Sequence, residues 1–62
     1  MDRIQIFCYG FCERVTRKDV QNQDHYYEGT EPGADGYLYD IYYSYKDDCY
    51  KAINLGVKDD DL

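Results

Sequence analysis

Long apolar runs are missing from this chain. No stretch approaches the roughly 18 apolar residues that a bilayer-spanning helix needs. The first residues also lack the basic stretch and apolar core of a secretory signal. An acidic chain without a basic amphipathic helix is repelled by anionic lipid. These features predict a cytoplasmic protein and no membrane partner.

Tryptophan is also absent, and strongly aliphatic residues are few, so tyrosine must supply much of the packing. Nine of the 62 residues are tyrosine, against two phenylalanines. Tyrosine has an apolar ring and a polar tip, which suits half-buried positions and interfaces. A chain this short forms one domain, here residues 1–62 with a short acidic tail at 57–62, and has no room for a deep catalytic cleft.

Motifs for nucleotides, metals and covalent catalysis are likewise missing. Neither GxxxxGK[ST] nor GxGxxG occurs. Cys8, Cys12, His25 and Cys49 have the residue types of a zinc site, but on one extended strand Cys8 and Cys12 lie roughly 13 Å apart. A cysteine nucleophile with His25 as its base lacks a third orienting group. We therefore expect no enzyme, no metal and no cofactor.

Basic residues are in the minority, with seven lysines and arginines against thirteen acids and a net charge of −6. Residues 1–23 have a net charge of +1 and residues 24–62 a net charge of −7, which together give −6. Direct binding to nucleic acid needs clustered basic residues, so it is not expected. The asymmetry points to a charged protein partner, and solubility is the alternative explanation.

Alternating apolar residues predict strands at residues 3–9 and 37–43, with Tyr37, Tyr39, Ile41 and Tyr43 on the core side of the second. Residues 11–16 continue the first extended run after Gly10. Residues 17–24 suit a turn or exposed loop, and residues 25–27 a short strand. Residues 29–36 contain the only proline and three glycines, and indicate a loop.

The end of the chain predicts a helix from about Tyr45 to Leu55. Ser44 stands at the N-cap position, Asp47 follows three residues later, and Gly56 is placed to close the helix. The fold class expected from the whole pattern is α+β, a small antiparallel sheet of two to four strands packed by one C-terminal α-helix.

Carboxylates held about 5–7 Å apart on strands and a helix would present a row of negative charge to a groove built for phosphates. Tyrosines beside them would stack on arginine or fill the places of bases. The predicted partner-binding residues are Asp24, Tyr26, Tyr27, Glu28, Glu31, Asp35, Asp40, Tyr42, Asp47, Asp48 and Tyr50.

In size, charge, tyrosine content and acidic stretches such as Asp47-Asp48 and Asp59-Asp60-Asp61, the chain resembles small phage-encoded inhibitors of bacterial defence, including DNA-mimicking anti-CRISPR and anti-restriction proteins. The resemblance implies a non-catalytic inhibitor that acts in the host cell cytoplasm. It would bind a nucleic-acid-binding defence protein, a CRISPR effector or restriction enzyme, through an acidic, tyrosine-rich surface and block DNA binding. The basic patch of Arg14, Arg17 and Lys18 departs from that pattern.

The alternative is a small interaction or accessory protein whose tyrosine-rich sheet docks on another protein. A homodimer formed through the same sheet belongs to this alternative. In either case the expected partner is a protein.

Overall fold

Five strands form one curled sheet in the computed structural model, which describes residues 2–21 and 24–61. The strands are β1 (Arg3–Ile6), β2 (Gly10–Val15), β3 (His25–Pro32), β4 (Tyr37–Ser44) and β5 (Cys49–Lys58). Their order across the sheet is β1-β2-β5-β4-β3. Neighbours run antiparallel except β2 and β5, which are parallel. Short 3₁₀ helices follow β2 (Arg17–Val20) and β5 (Asp59–Asp61).

The predicted α+β fold with a C-terminal helix is wrong. Among the described residues the structure has five strands and no α-helix. Ser44 does cap a backbone amide, because its Oγ accepts a hydrogen bond from the Asp47 N–H at 3.1 Å. The chain then reverses at Asp48, whose φ is +52°, and returns as β5. The capping hydrogen bond therefore stabilises a hairpin loop, which uses the same side-chain chemistry as a helix start.

The residues that suggested the helix instead form the central strand of the sheet. Lys51, Ala52 and Ile53 are buried in succession, which is typical of a strand covered on both faces. Gly56 has a φ of +75° and lies where the register between β4 and β5 shifts, so it belongs to a bulge in β5. Leu62 of the predicted tail lies outside the described residues.

The remaining strand predictions are partly confirmed. The strand at residues 37–43 is confirmed and extends to Ser44. The first predicted strand ends earlier, because Phe7, Cys8 and Tyr9 form a hairpin turn before β2. The predicted loop at 29–36 is shorter, since β3 runs to Pro32. The 17–24 segment contains the first 3₁₀ helix, and its Asn22 and Gln23 lie outside the described residues.

The core lies on the concave face of the curled sheet. Its buried residues are Ile4, Ile6, Cys12, Tyr39, Ile41 and Ala52. Tyr39 and Ile41 are fully buried, which confirms the predicted core side of β4. Tyr9, Tyr37 and Tyr50 pack against this cluster from its margin. Tyrosine rings therefore take the place of the missing aliphatic residues.

The edges of the sheet meet where β1 ends and β3 ends. Ile6 and Gly33 form an antiparallel bridge, the Phe7 N–H donates to the Pro32 carbonyl at 3.1 Å, and the Ala34 N–H donates to the Gln5 carbonyl at 2.8 Å. This contact encloses the core and protects part of both edge strands from pairing with other chains. No helix of the described chain is long and apolar enough to cross a membrane.

Candidate functional site

A row of aromatic rings crosses three neighbouring strands. Tyr26 of β3 is the register partner of Tyr43 in β4, and Tyr43 is the partner of Tyr50 in β5, so the three side chains share one face. Tyr9 extends the row, with its ring centroid 5.0 Å from that of Tyr50. Tyr45 extends it at the other end, with its ring centroid 5.2 Å from that of Tyr43. We call these five residues the tyrosine row.

The tyrosine row is anchored in the core but reaches solvent. Tyr9 and Tyr50 pack on the core cluster, whereas Tyr26 is 58% and Tyr45 is 63% exposed. The contacts from Tyr9 to Tyr50, Tyr50 to Tyr43 and Tyr43 to Tyr45 are all edge-on. Edge-on packing is a favoured arrangement of aromatic pairs, so the rings hold one another in place. These four rings form a fixed aromatic surface, and Tyr26 lies beside it as the register partner of Tyr43.

Carboxylates flank the tyrosine row. The Tyr43 hydroxyl donates a hydrogen bond to Asp48, and this bond, with some burial, raises the pKa of Tyr43 to about 12. Burial raises the pKa of Tyr9, and the charges of Glu28 and Glu31 raise it further. The phenols of Tyr9 and Tyr43 are therefore neutral at physiological pH, and the neighbouring acids supply negative charge beside the row.

The predicted partner-binding residues do not gather on one face. Tyr26 and Tyr50 belong to the tyrosine row, and Glu28, Glu31 and Asp48 flank it. Tyr27, Tyr42 and Asp40 lie on the opposite face of the sheet. Asp24 and Asp47 line a groove on that opposite face. Asp35 lies in the turn before β4.

On the opposite face, side chains are linked by hydrogen bonds. The Thr30 hydroxyl donates to Asp40 at 2.7 Å and lies 2.9 Å from the Tyr27 hydroxyl. Arg17 Nη2 lies 3.4 Å from the second oxygen of Asp40. The Tyr27 and Tyr42 rings are in edge-on contact at 5.4 Å. Asp40 is thus paired with a cation of the same chain, and part of the basic patch neutralises an acid.

Asp35 has a structural partner in the core. Its carboxylate accepts hydrogen bonds from the Tyr39 hydroxyl at 2.6 Å and from the Tyr37 N–H at 3.1 Å. Although burial acts to raise the pKa of Asp35, these hydrogen bonds outweigh it and lower the pKa. Burial and the same bond raise the pKa of Tyr39 to about 12. Asp35 therefore orients the ring at the centre of the core.

A buried lysine occupies the groove on the opposite face, which has a volume of about 390 Å³. Lys51 Nζ pairs with Glu13 on β2 and lies 2.9 Å from Asp47 Oδ2 in the hairpin loop. Only 9% of the Lys51 side chain is exposed. Burial acts to lower the pKa of Lys51, but the hydrogen bonds to the two carboxylates raise it, so the side chain is cationic. Asp19, Asp24 and His25 also line this groove.

The cysteines differ in how far they are exposed to solvent. Cys8 lies exposed in the turn between β1 and β2, while Cys12 is buried in the core. Burial, with a smaller effect of Cys49, raises the pKa of the Cys12 thiol to about 11. A thiol of that pKa is protonated at neutral pH and is a weak nucleophile. No cluster of metal-ligating side chains was found within the described ranges 2–21 and 24–61.

We expect the fold to lose stability in acid. Hydrogen bonds from Thr16, Lys51 and Tyr39 contribute to holding the pKa values of Asp19, Asp47 and Asp35, respectively, below the usual 3.8. Groups with lowered pKa values stabilise the fold above their unfolded pKa, and this stabilisation is lost as the pH falls through the lower folded value. Thermal melts between about pH 7 and pH 2 should show the fall beginning near pH 4. Asp47→Asn should make it shallower, and a constant melting temperature would contradict this.

Several residues of these surfaces were not predicted from the sequence. Tyr9, Tyr43 and Tyr45 complete the tyrosine row, and Glu13 and Lys51 form the buried ion pair. Tyr43, Tyr45 and Tyr50 surround a loop that was interpreted as a helix start. The alternation of Tyr50, Ala52 and Asn54 was the available signal for a strand.

The fold and these surfaces describe a small all-β domain with an aromatic, acid-flanked face. Comparison of the chain with protein-family models, with curated proteins and with solved structures gave no match.

Proposed function

We propose that the protein is a non-catalytic binding protein whose tyrosine row engages a basic segment of a protein partner. The observation that carries this proposal is the joint placement of exposed Tyr26 and Tyr45 with the carboxylates Glu28, Glu31 and Asp48. Aromatic residues that are rigid and half-buried before binding give contact area at low entropic cost. Tyr9, Tyr43 and Tyr50, which are half-buried and in ring contact, provide such a surface.

Arginine is the partner side chain that this surface suits best. A guanidinium stacks flat on a tyrosine ring and retains hydrogen-bond donors for a neighbouring carboxylate. The net charge of −6 steers a cationic partner towards the protein. The contacts between the tyrosine rings and the guanidinium contribute most of the affinity. The carboxylates already paired with Arg17 and Lys51 take a smaller part.

Adjacent tyrosines offer a matched pair of variants to test the surface. Tyr26 and Tyr27 are 58% and 51% exposed but lie on opposite faces of β3. With a short arginine-rich peptide as the probe, Tyr26→Ala and Tyr45→Ala should each weaken binding about fivefold to tenfold, and Tyr27→Ala should leave it unchanged. Isothermal titration calorimetry measures the affinities, and circular dichroism confirms that each variant is folded.

A lysine-rich peptide of equal length separates stacking from simple charge attraction. We expect it to bind more weakly than the arginine-rich peptide and to lose binding more steeply in raised salt. Equal affinity for the two peptides, or equal losses in Tyr26→Ala and Tyr27→Ala, would refute the tyrosine row as the binding site.

The narrower proposal is inhibition of a nucleic-acid-binding defence protein, such as a CRISPR effector or restriction enzyme. Such proteins expose clustered lysine and arginine where phosphates bind, and this is the surface chemistry that the tyrosine row suits. Here the tyrosine row, with Glu28 and Glu31 beside it, would occupy the DNA site, in place of a continuous row of carboxylates. In a competition gel shift, excess protein should displace target DNA and the Tyr26→Ala variant should not. If DNA stays bound, the narrower proposal fails, while the peptide result stands on its own.

A further inference from the structure

A second surface lies beside the turn between β1 and β2 and has the opposite character to the tyrosine row. It is a groove of about 490 Å³ lined by residues that include Ile6, Phe7, Pro32 and Ala34. None of the described residues that line it carries a charge. We call it the apolar groove. It lies where the edges of the sheet meet, since Ile6 bridges Gly33 there.

An exposed phenyl ring stands next to the apolar groove. Phe11 on β2 is 70% exposed and is the register partner of Gln5, which lines the groove. Phe7, at the rim, is 67% exposed. These are the only two phenylalanines of the chain, and both are near this groove. Exposed apolar side chains grouped in this way mark an interaction surface.

Both halves of a self-complementary contact are therefore present on one patch. A symmetric two-fold interface brings the same patch of each copy together, so that a projecting side chain of one copy meets a recess of the other. Phe11 is the projection and the apolar groove is the recess. A partner that lacks such a ring would leave both the groove and Phe11 only half covered.

Charge favours this patch over the rest of the surface for a contact between two copies. Copies with a net charge of −6 repel each other across most orientations, and the cost is smallest where the facing surfaces are uncharged. The apolar groove meets that condition, whereas the tyrosine row has carboxylates beside it. A cationic partner would find no carboxylate among the residues that line the groove.

We propose that the apolar groove and Phe11 form the interface of a symmetric homodimer, in which Phe11 of each copy occupies the groove of the other. This interface differs from a dimer formed through the tyrosine-rich sheet. Tyr26, Tyr43, Tyr45 and Tyr50 of the tyrosine row do not line the groove, so each dimer presents two copies of that part of the row. For a patch this small we expect a weak dimer, with a Kd on the order of 100 µM.

Sedimentation equilibrium over a concentration series spanning that Kd tests the proposal on the intact chain. The wild type should shift from monomer to dimer mass, and Phe11→Glu should stay monomeric throughout. Tyr26→Glu is the matched control, because it adds the same charge to another exposed aromatic position and should still dimerise. Circular dichroism verifies that both variants fold.

Exposed Cys8 lines the apolar groove and provides a second readout. A short bismaleimide cross-linker should trap wild-type dimers through Cys8, and Cys8→Ser and Phe11→Glu should each abolish the product. A wild type that remains monomeric overturns the proposal. So does dissociation by Tyr26→Glu equal to that by Phe11→Glu, which would show that added charge alone separates the copies.

Discussion

Lys51→Met is expected to lower the free energy of unfolding by about 2–3 kcal/mol. Removing one partner of a buried ion pair costs about 3–5 kcal/mol, because the remaining charge stays buried and unpaired. Here Glu13 and Asp47 keep 32% and 52% of their side-chain exposure, so water offsets part of that cost. A domain of 62 residues has a total of roughly 3–9 kcal/mol, and the loss is a large share of it.

Urea denaturation followed by circular dichroism measures this loss. Lys46→Met is the matched control, since Lys46 is an exposed lysine in the same hairpin loop, and its replacement should change stability by less than about 0.5 kcal/mol. The difference between Lys51→Met and the wild type should narrow as the pH falls through the lowered pKa of Asp47, because that carboxylate then loses its charge. Equal stability of the two methionine variants would show that the ion pair contributes nothing.

Gly33→Ala is expected to destabilise the protein by about 2 kcal/mol through a clash with the core. A Cβ at Gly33 would lie 2.7 Å and 2.9 Å from two ring carbons of Tyr39. That ring cannot move aside easily, because Tyr39 is fully buried and its hydroxyl is bonded to Asp35. The backbone of Gly33 is also fixed by its bridge to Ile6.

Thermal denaturation of Gly33→Ala and Gly36→Ala separates the effect of this clash from the backbone strain that replacing a glycine can cause. Gly36 has a φ of +87° but no atom within 4 Å of an added Cβ, so its replacement should cost only about 1 kcal/mol of backbone strain. We expect Gly33→Ala to melt at the lower temperature. The reverse order would mean that the core accommodates the extra methyl group.

The strand content of the first two-thirds of the chain was largely predictable, because alternation is a local property. The pattern at Tyr37, Tyr39 and Ile41 correctly indicated the buried side of β4. Ile4 and Ile6 alternate in the same way in β1, and both are buried. What the pattern could not supply was the partner of each strand, since pairing depends on contacts between residues far apart in sequence.

The error at the C-terminal end has a physical origin. A serine that accepts a hydrogen bond from the amide three residues later fits a helix start and a hairpin loop equally well. The hairpin loop forms here because Asp48 adopts a positive φ, which reverses the direction of the chain. Aspartate adopts that conformation more readily than most residues, but nothing in the local sequence requires it to do so.

The candidate site was harder to predict than the strands. Tyr26 and Tyr27 are neighbours in sequence and were expected on one surface, but a strand directs them to opposite faces. Asp40 was expected to face a partner, and a tertiary contact pairs it with Arg17 instead. Asp47 was expected to do the same, and it pairs with Lys51 four residues along the chain. Charge pairing between distant residues is invisible in composition, which counts acids without showing which of them are already paired.

The parallel pairing of β2 with β5 joins parts of the chain that lie far apart in sequence. Strands β3, β4 and β5 are joined by successive hairpins and need only short loops to close. Pairing Glu13 with Lys51 requires closure of a loop of 38 residues. The chain loses the entropy of that loop before the contact can stabilise it. We therefore expect the β1–β2 hairpin to dock last, onto a meander of β3, β4 and β5 that has already formed. Until it docks, the edge of β5 is open to pairing with another chain, and this is the stage at which the protein is most exposed to aggregation.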